Sequence, residues 1–391
     1  MDRGKKNILV FAGGYLPGYK GGGTIRSMAS LVEILGDEFD FRIVTLDRDL
    51  GSHAYYPGIK VNEWQKVGKA EVFYLSPENV TFPFLRRLIN STVHDALYLN
   101  SFFSSGFTVM PMLLRRLGLI QSVTTIVAPR GEFSQGALKI KPFKKKMYIY
   151  VVKKIGLYRN VVWQASSAHE LIDIRAIFGE AGDSRTSIPV VIAPDLSNPV
   201  LPKKEADLKD KKPGTLKVVF LSRISAMKNL DGALRMLQGV TGEISFHIYG
   251  PLEDMDYWGK CQGIIDTLPL NIQAHYKGPI DHDEVAEVFS DHDLFFLPTH
   301  GENFGHVIIE ALVAGCPILI SDRTPWRELE ANGVGWDLSL DRPETFTAAL
   351  QQCADMGCRE LRALSQRAQE YGKQKAMDND IVQQNRNLFN I

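Results

Sequence analysis

The chain has 391 residues, 45% of them hydrophobic and 23% charged, with a formal net charge of zero. That length is too great for one ordinary domain and comfortable for two, and the composition is that of a soluble globular protein with a large core, which sets aside disordered and fibrous classes. The zero balance hides an asymmetry: residues 1–195 carry 25 Lys and Arg against 17 Asp and Glu, the remainder 20 against 28, so the first half is the one suited to an anionic surface or acceptor.

The opening Met-Asp-Arg-Gly-Lys-Lys leads straight into the apolar run Asn7–Phe11, which reads as a buried strand and is too short for a signal peptide. No run of about 18 apolar residues occurs, so no membrane span is expected. The four cysteines, Cys261, Cys316, Cys353 and Cys358, all lie in the second half, with no close pair and no histidine cluster for zinc. Reduced thiols and a cytoplasmic location are expected.

Strands are expected at 8–12, 41–45, 71–75, 96–99, 124–128, 161–165 and 189–193. Helices are expected at 24–35, 108–117, 143–155 and 168–178. Alternation at this spacing predicts a doubly wound parallel sheet. Residues 200–213 are charged and flanked by prolines, as a linker would be. The pattern then restarts, with strands at 216–221, 245–249, 272–276, 294–297 and 317–321, and helices at 230–237, 257–267, 282–290 and 306–314. The expected organisation is a first Rossmann-like domain over 1–199, the linker, a second over 214–370, and a C-terminal helix over 371–391 returning to the first domain. Two such halves predict a ligand cleft at the carboxyl ends of the strands.

Three segments that follow expected strands converge on one chemistry. Gly13-Gly-Tyr-Leu-Pro-Gly-Tyr-Lys-Gly-Gly-Gly23 precedes a helix. Its last three glycines let backbone approach a ligand closely, and the helix N-terminus favours an anion. It is not a G-x-G-x-x-G loop, so a dinucleotide is disfavoured; the bland reading is a flexible turn. The second segment, Leu221-Ser-Arg-Ile-Ser-Ala-Met-Lys-Asn-Leu230, places Arg223 and Lys228 five positions apart. Two fixed cations stabilise a departing diphosphate, while the bland reading is a solvated pair. The third is His300-Gly-Glu-Asn-Phe-Gly-His-Val-Ile-Ile-Glu-Ala-Leu-Val-Ala-Gly315, a loop opening into a helix. Here amides suit phosphate and acidic side chains suit sugar hydroxyls. Glu302 and Glu310 stand eight positions apart, a spacing common by chance and favoured at helix starts by the macrodipole. His300 and His306 are too isolated to suggest a metal.

Taken in order, these segments resemble retaining glycosyltransferases of family 4, which have the GT-B fold of two Rossmann-like domains facing a central cleft. Ala165-Ser-Ser-Ala-His-Glu-Leu171, Ile192-Ala-Pro-Asp195, Phe246-His-Ile-Tyr-Gly-Pro251 and Gly278-Pro-Ile280 add to the likeness. It is nearest to members that build bacterial capsule, exopolysaccharide or lipopolysaccharide. The resemblance implies that Arg223 and Lys228 hold the donor diphosphate, that Glu310 takes the ribose hydroxyls, and that Glu302 orients the donor sugar beside the amides of Asn303, Phe304 and Gly305. It also implies that Gly22 and Gly23 approach the diphosphate from the first domain, that residues 276–280 edge the base, and that transfer proceeds with retention and without a metal or other cofactor. Many members have a histidine after the strand at 124–128; this chain has Pro129-Arg-Gly-Glu132. Arg130 cannot act as a general base, so it is expected as a clamp on a hydroxyl, phosphate or carboxylate. Asn100 and Ser101 are expected on the acceptor side, and His94 as structural.

Within Lys139–Ile155, Phe143, Met147, Tyr150 and Val151 form an apolar stripe among lysines 144, 145, 146, 153 and 154. Such a helix could rest on an anionic inner leaflet or simply pack on its own core. The expected partners are therefore a nucleotide-sugar donor, a glycan or lipid-linked acceptor, and a membrane surface, with no nucleic acid. Two rivals remain at this level. A sugar-nucleotide epimerase or hydrolase would need carboxylates from the first half, where Glu132 is the one obvious candidate, and a non-catalytic glycan binder would have no need of Arg223 and Lys228. On the sequence alone, Lys228→Ala is expected to abolish transfer while barely altering folding.

Overall fold

The computed structural model describes residues 4–139, 141–179, 188–203 and 211–391. The chain divides into two compact units, one running to Asn198 and including Asn379–Ile391, the other Pro199–Asp378. The centre of the expected linker, 204–210, lies outside the described residues.

The first unit is built on eight strands: β1 Lys6–Ala12, β2 Phe39–Leu46, β3 Trp64–Val67, β4 Ala70–Leu75, β5 Ala96–Asn100, β6 Thr124–Ala128, β7 Val162–Ala165 and β8 Val190–Ile192. Their order is β3-β4-β2-β1-β5-β6-β7-β8, parallel throughout except for the antiparallel β3–β4 edge pair. Helices α1 Gly23–Leu35, α2 Phe82–Ser91, α3 Met110–Arg116, α4 Gln135–Lys139, α5 Pro142–Lys154 and α6 Ala168–Phe178 connect them. Covered on both faces, β1 is buried without interruption from Ile8 to Ala12, which is why its sequence is an unbroken apolar run. The chain winds outward one way from β1 and then the other from β5, so the switch point of this sheet lies between them.

The second unit repeats the plan with β9 Thr215–Leu221, β10 Glu243–Tyr249, β11 Ile272–Gly278, β12 Leu294–Leu297, β13 Ile318–Ser321 and β14 Gly335–Leu338, in the order β11-β10-β9-β12-β13-β14. All neighbours are parallel. Helices α7 Leu230–Leu237, α8 Met255–Ile265, α9 His282–Ser290, α10 His306–Val313, α11 Pro343–Asp355 and α12 Cys358–Ala376 flank it. Its switch point lies between β9 and β12. Among the described residues no helix is long and apolar enough to cross a membrane.

The C-terminal return begins later than the expected residue 371. Through Ala376 the chain is still α12, whose Leu361, Leu364, Ala368 and Gly372 are buried. A Cβ on Gly372 would stand 2.6 Å from the Val313 amide, so only glycine lets α12 lie this close to α10. After Asp378 the helix α13 Asn379–Phe389 packs on the first unit. Phe389 meets the rings of Phe39, Phe41 and Tyr98 at centroid distances of 5.5, 5.7 and 5.4 Å, Asn385 Nδ2 donates to Pro194 O at 2.7 Å, and Arg386 grips Glu38 with two nitrogens.

On β10 and just before β12 a chain of polar groups is tuned by burial. His292 Nδ1 lies 2.5 Å from Val288 O, and its Nε2 lies 2.8 Å from His247 Nδ1. His247 Nε2 stands 3.2 Å from Ser245 Oγ. The network assigns both rings as neutral Nδ1–H tautomers. Burial, with nearby cations such as Lys217 and Lys277, pushes both from the ordinary 6.5 down to about 4. As pH falls the unfolded state therefore takes up these protons first, so their contribution to stability is complete above about pH 6.5 and is lost toward about pH 4. Denaturant midpoints should fall across that window, and His247→Gln should flatten the slope; a wild-type midpoint that is level from pH 7 to 4 contradicts it.

Candidate active site

The loops that leave β9, β10, β12 and β13 meet at the carboxyl ends of the second sheet, and backbone contacts fix them together. Ser222 N donates to Tyr249 O at 3.1 Å and Ile224 N to Pro251 O at 2.9 Å, continuing the β9–β10 ladder past the strands. Gly250 makes this approach possible. It has φ +134°, and a Cβ there would sit 1.8 Å from Ser222 O. The β9 loop turns through Asn229 in the left-handed conformation, and Asn229 Nδ2 reaches Pro298 O at 2.8 Å. His300 N donates to Met227 O at 2.8 Å and Glu302 N to Arg323 O at 3.1 Å.

Within this frame Lys228 Nζ is paired with Glu302 Oε1, the two side chains 10% and 14% exposed. Arg223 Nη1 pairs with Glu253 Oε1 at 2.9 Å, both half-exposed. Gly305, with φ +81°, forms the N-cap of α10 and gives it no side-chain cap. A Cβ on Gly305 would crowd Ile308 Cδ1 at 2.7 Å and Glu302 Cγ at 3.3 Å. The glycine therefore both starts the helix and leaves room for the Glu302 side chain. Phe304 is held by its carbonyl, which accepts from Trp326 Nε1 at 2.6 Å, and its ring lies 4.7 Å from that of His306. Asn303 is half-buried in the same loop. Glu310 lies further along α10 with its carboxylate 3.9 Å from His282 Nδ1 at the start of α9. Arg223, Lys228, Glu302, Asn303, Phe304, Gly305 and Glu310 thus all belong to the loops and helix starts around one switch point. Glu253 and His282 join them without having been read from the sequence. Glu253 lies two residues past Gly250-Pro251 and His282 three past Gly278-Pro279, and a Gly-Pro step after a strand is the signal that could have marked them. Among the described residues no group of three or more His, Cys, Asp or Glu side chains is placed to hold a metal ion.

The first unit holds the remaining residues. Gly22, at φ +61° and ψ −130°, is the N-cap of α1, with no side-chain cap, and Gly23 is its first residue. The loop before them is pinned rather than loose: Asp49 accepts from the amides of Tyr19 and Lys20 at 3.0–3.2 Å. Arg130 is clamped on a carboxylate of its own unit. Its side chain is 7% exposed and ion-paired with Asp195, itself 5% exposed. Arg130 Nη2 also donates to Asn100 Oδ1 at 2.9 Å and to Tyr98 Oη at 2.6 Å. A guanidinium committed in this way ties the ends of β5 and β6 to the segment after β8. It leaves Asn100 Nδ2 as a buried donor with no hydrogen-bond partner. Ser101 Oγ donates to Glu132 at 2.7 Å, and Glu132 also accepts from the amides of Phe102 and Phe103. Burial pushes the Glu132 carboxyl above its ordinary range. His94 is buried, its Nδ1 2.7 Å from Thr92 O.

Residues 203–375 match the family model described as glycosyl transferases group 1. A curated relative from Klebsiella pneumoniae, described as an uncharacterized 41.2 kDa protein in the cps region, is 21% identical over 299 residues, covering 74% of this chain and 79% of that one. Among solved structures, sucrose-phosphate synthase from Thermosynechococcus elongatus is similar with a TM-score of 0.69 at 16% identity, covering 98% of this chain and 99% of that one. The Anabaena protein HepE, solved with UDP-glucose, gives 0.67 at 13% identity, over 98% and 99% of the two chains. WaaG, a glycosyltransferase of lipopolysaccharide biosynthesis, gives 0.61 at 12% identity, over 98% of each chain.

The Lys228–Glu302 pair changes one expectation. Truncating either partner strands a largely buried charge, so Lys228→Ala should not leave folding untouched; a cost of about 3 kcal/mol is expected. Lys228→Met with Glu302→Gln should recover much of it. Denaturant midpoints of the single and double variants measure the coupling, and additive losses would contradict the pairing. The chain has the GT-B fold, and residues 203–375, nearly all of its second unit, match the group 1 glycosyl transferase model.

Proposed function

We propose that this protein is a retaining glycosyltransferase that moves a sugar from a nucleoside-diphosphate donor to a glycan or lipid-linked saccharide during surface polysaccharide synthesis. The observation that carries the reading is the pairing of Lys228 with Glu302 beside the uncapped start of α10, within a matched group 1 domain. The Klebsiella relative from a cps region supports the polysaccharide role, and the Anabaena structure with UDP-glucose makes uridine the first base to test.

In this reading the diphosphate settles at the mouth of the β9 loop. Arg223 turns from Glu253 to the phosphates, and Lys228 divides its donors between phosphate and Glu302. The amides at the start of α10 add partial positive charge. Glu302 accepts from a hydroxyl of the donor sugar and Glu310 from the ribose. As the bond from the anomeric carbon to the phosphate oxygen breaks, charge grows on the diphosphate, where the two cations stabilise it. The acceptor oxygen bonds to the anomeric carbon on the same face, and its proton passes to the departing phosphate oxygen. Because side chains supply that charge stabilisation, no metal is required. Arg130 serves as the anchor of Asp195 and Asn100. The rival epimerase or hydrolase finds no free carboxylate in Glu132, which is occupied by two amides and Ser101.

UDP, GDP, ADP and their sugars should be screened by thermal shift. One nucleotide is expected to stabilise the protein by about 2.7 kcal/mol at roughly a hundredfold excess over Kd. Transfer from its sugar should persist in EDTA and keep the donor's anomeric configuration by NMR. A flat response to every nucleotide overturns the reading, and glycan binding without turnover would establish the binding module instead.

A further inference from the structure

Helix α5 is two-faced. At about 100° per residue, Lys145, Tyr148, Ile149 and Val152 fall on one side, and these are its more buried positions. Val152 is enclosed in the core, and Tyr148 Oη lies 2.8 Å from Tyr158 Oη. Lys145 turns inward with them, donating to Ala137 O at 2.7 Å and lying 4.9 Å from the centroid of Phe103. The helix thus satisfies its own core through a stripe other than the one its sequence advertises.

The opposite side carries Phe143, Met147 and Tyr150, which are 76%, 49% and 60% exposed, with exposed Val151 and Ile155 beside them. Lys144 flanks this stripe on one edge and Lys146 and Lys153 on the other, all on exposed or outward positions. Lys154 reaches over the Tyr150 ring at 5.8 Å. The charge context is one-sided: between Glu132 and Glu170 the 37 intervening residues hold seven Lys and one Arg and not a single Asp or Glu. Large apolar groups held in water beside a ring of cations call for a partner that offers both hydrocarbon and negative charge. A second copy of the chain would set lysines against lysines and is disfavoured by that repulsion.

We propose that α5 lies flat on a bilayer surface bearing anionic headgroups, with Phe143, Met147 and Tyr150 in the interface and the flanking lysines on the headgroups. Docking of this kind would let the protein meet a lipid-linked acceptor at the surface where it is held. The docking itself requires no donor and no turnover, so its failure would leave the reading of the α10 site intact.

The test is co-sedimentation of the full chain with vesicles of phosphatidylcholine alone and of phosphatidylcholine with about a third phosphatidylglycerol. Binding to the anionic vesicles only is expected, weakening as salt shortens the screening length. Phe143→Ser, Met147→Ser and Tyr150→Ser together should weaken binding by about tenfold or more. Lys144→Gln, Lys146→Gln and Lys154→Gln should weaken it about fivefold per lysine removed. Since these positions are exposed, both variants should keep the wild-type Tm. A wild type that ignores anionic vesicles overturns the proposal, as does a serine variant that binds as well as wild type. A wild-type dimer that the serine variant converts to monomer, without vesicle binding, would assign the face to self-association and also overturn it.

Discussion

The reversal of winding between β9 and β12 is the constraint on which the rest of the second unit depends. Crossovers on one side of β9 lead to β10 and β11, and those on the other lead to β13 and β14. At the reversal the two neighbouring loops diverge, leaving a crevice at the carboxyl ends of the strands. What occupies that crevice is a lysine and a glutamate, each largely withdrawn from water. A pair in such a place is weak evidence for stability, since burying two charges costs about as much as their attraction returns. In the proposed reading it is charge held in position for the donor diphosphate. The glycines shape its surroundings: a side chain on Gly250 would push the β9 and β10 loops apart, and one on Gly305 would crowd Ile308 and Glu302.

The first unit has the same architecture and uses its crevice differently. Its charged pair, Arg130 with Asp195, is closed in by Tyr98 and Asn100 and braces three loop ends. The comparison separates two uses of a buried ion pair on one scaffold. In the second unit the pair borders half-exposed Arg223 and a helix start without a side-chain cap. In the first it is surrounded by groups that it already satisfies.

Much of this was legible in the sequence because local signals agreed with the fold. The bounds of β6, β12, α6, α7 and α9 coincide with the apolar runs and caps that mark them; Ser167, for example, accepts from the Glu170 amide to start α6. The edge strand β3 was not read, since Trp64-Gln-Lys-Val67 is mostly polar and gains its structure only by pairing with β4. β14 escaped for a similar reason, being four residues long and opening on Gly335 at φ +150°. At the site, Arg223, Lys228, Glu302 and Glu310 were legible as residues that follow strands. The partners of Arg223 and Arg130 were not, because Glu253 lies 30 positions from Arg223 and Asp195 lies 65 from Arg130. The direction of Arg130 was therefore invisible. Helix α5 shows the same limit from the other side: its apolar stripe was legible, but only the packing of Val152 and Tyr148 shows that the stripe faces water.

The central claim is that a nucleoside diphosphate occupies the crevice between the β9 and β12 loops. A crystal structure of the protein grown with UDP tests it most directly. The account predicts both phosphates within hydrogen-bond reach of Lys228 Nζ and the Arg223 guanidinium, with Glu253 released and the ribose on Glu310. Phosphates bound elsewhere, with the Lys228–Glu302 and Arg223–Glu253 pairs undisturbed, would contradict it.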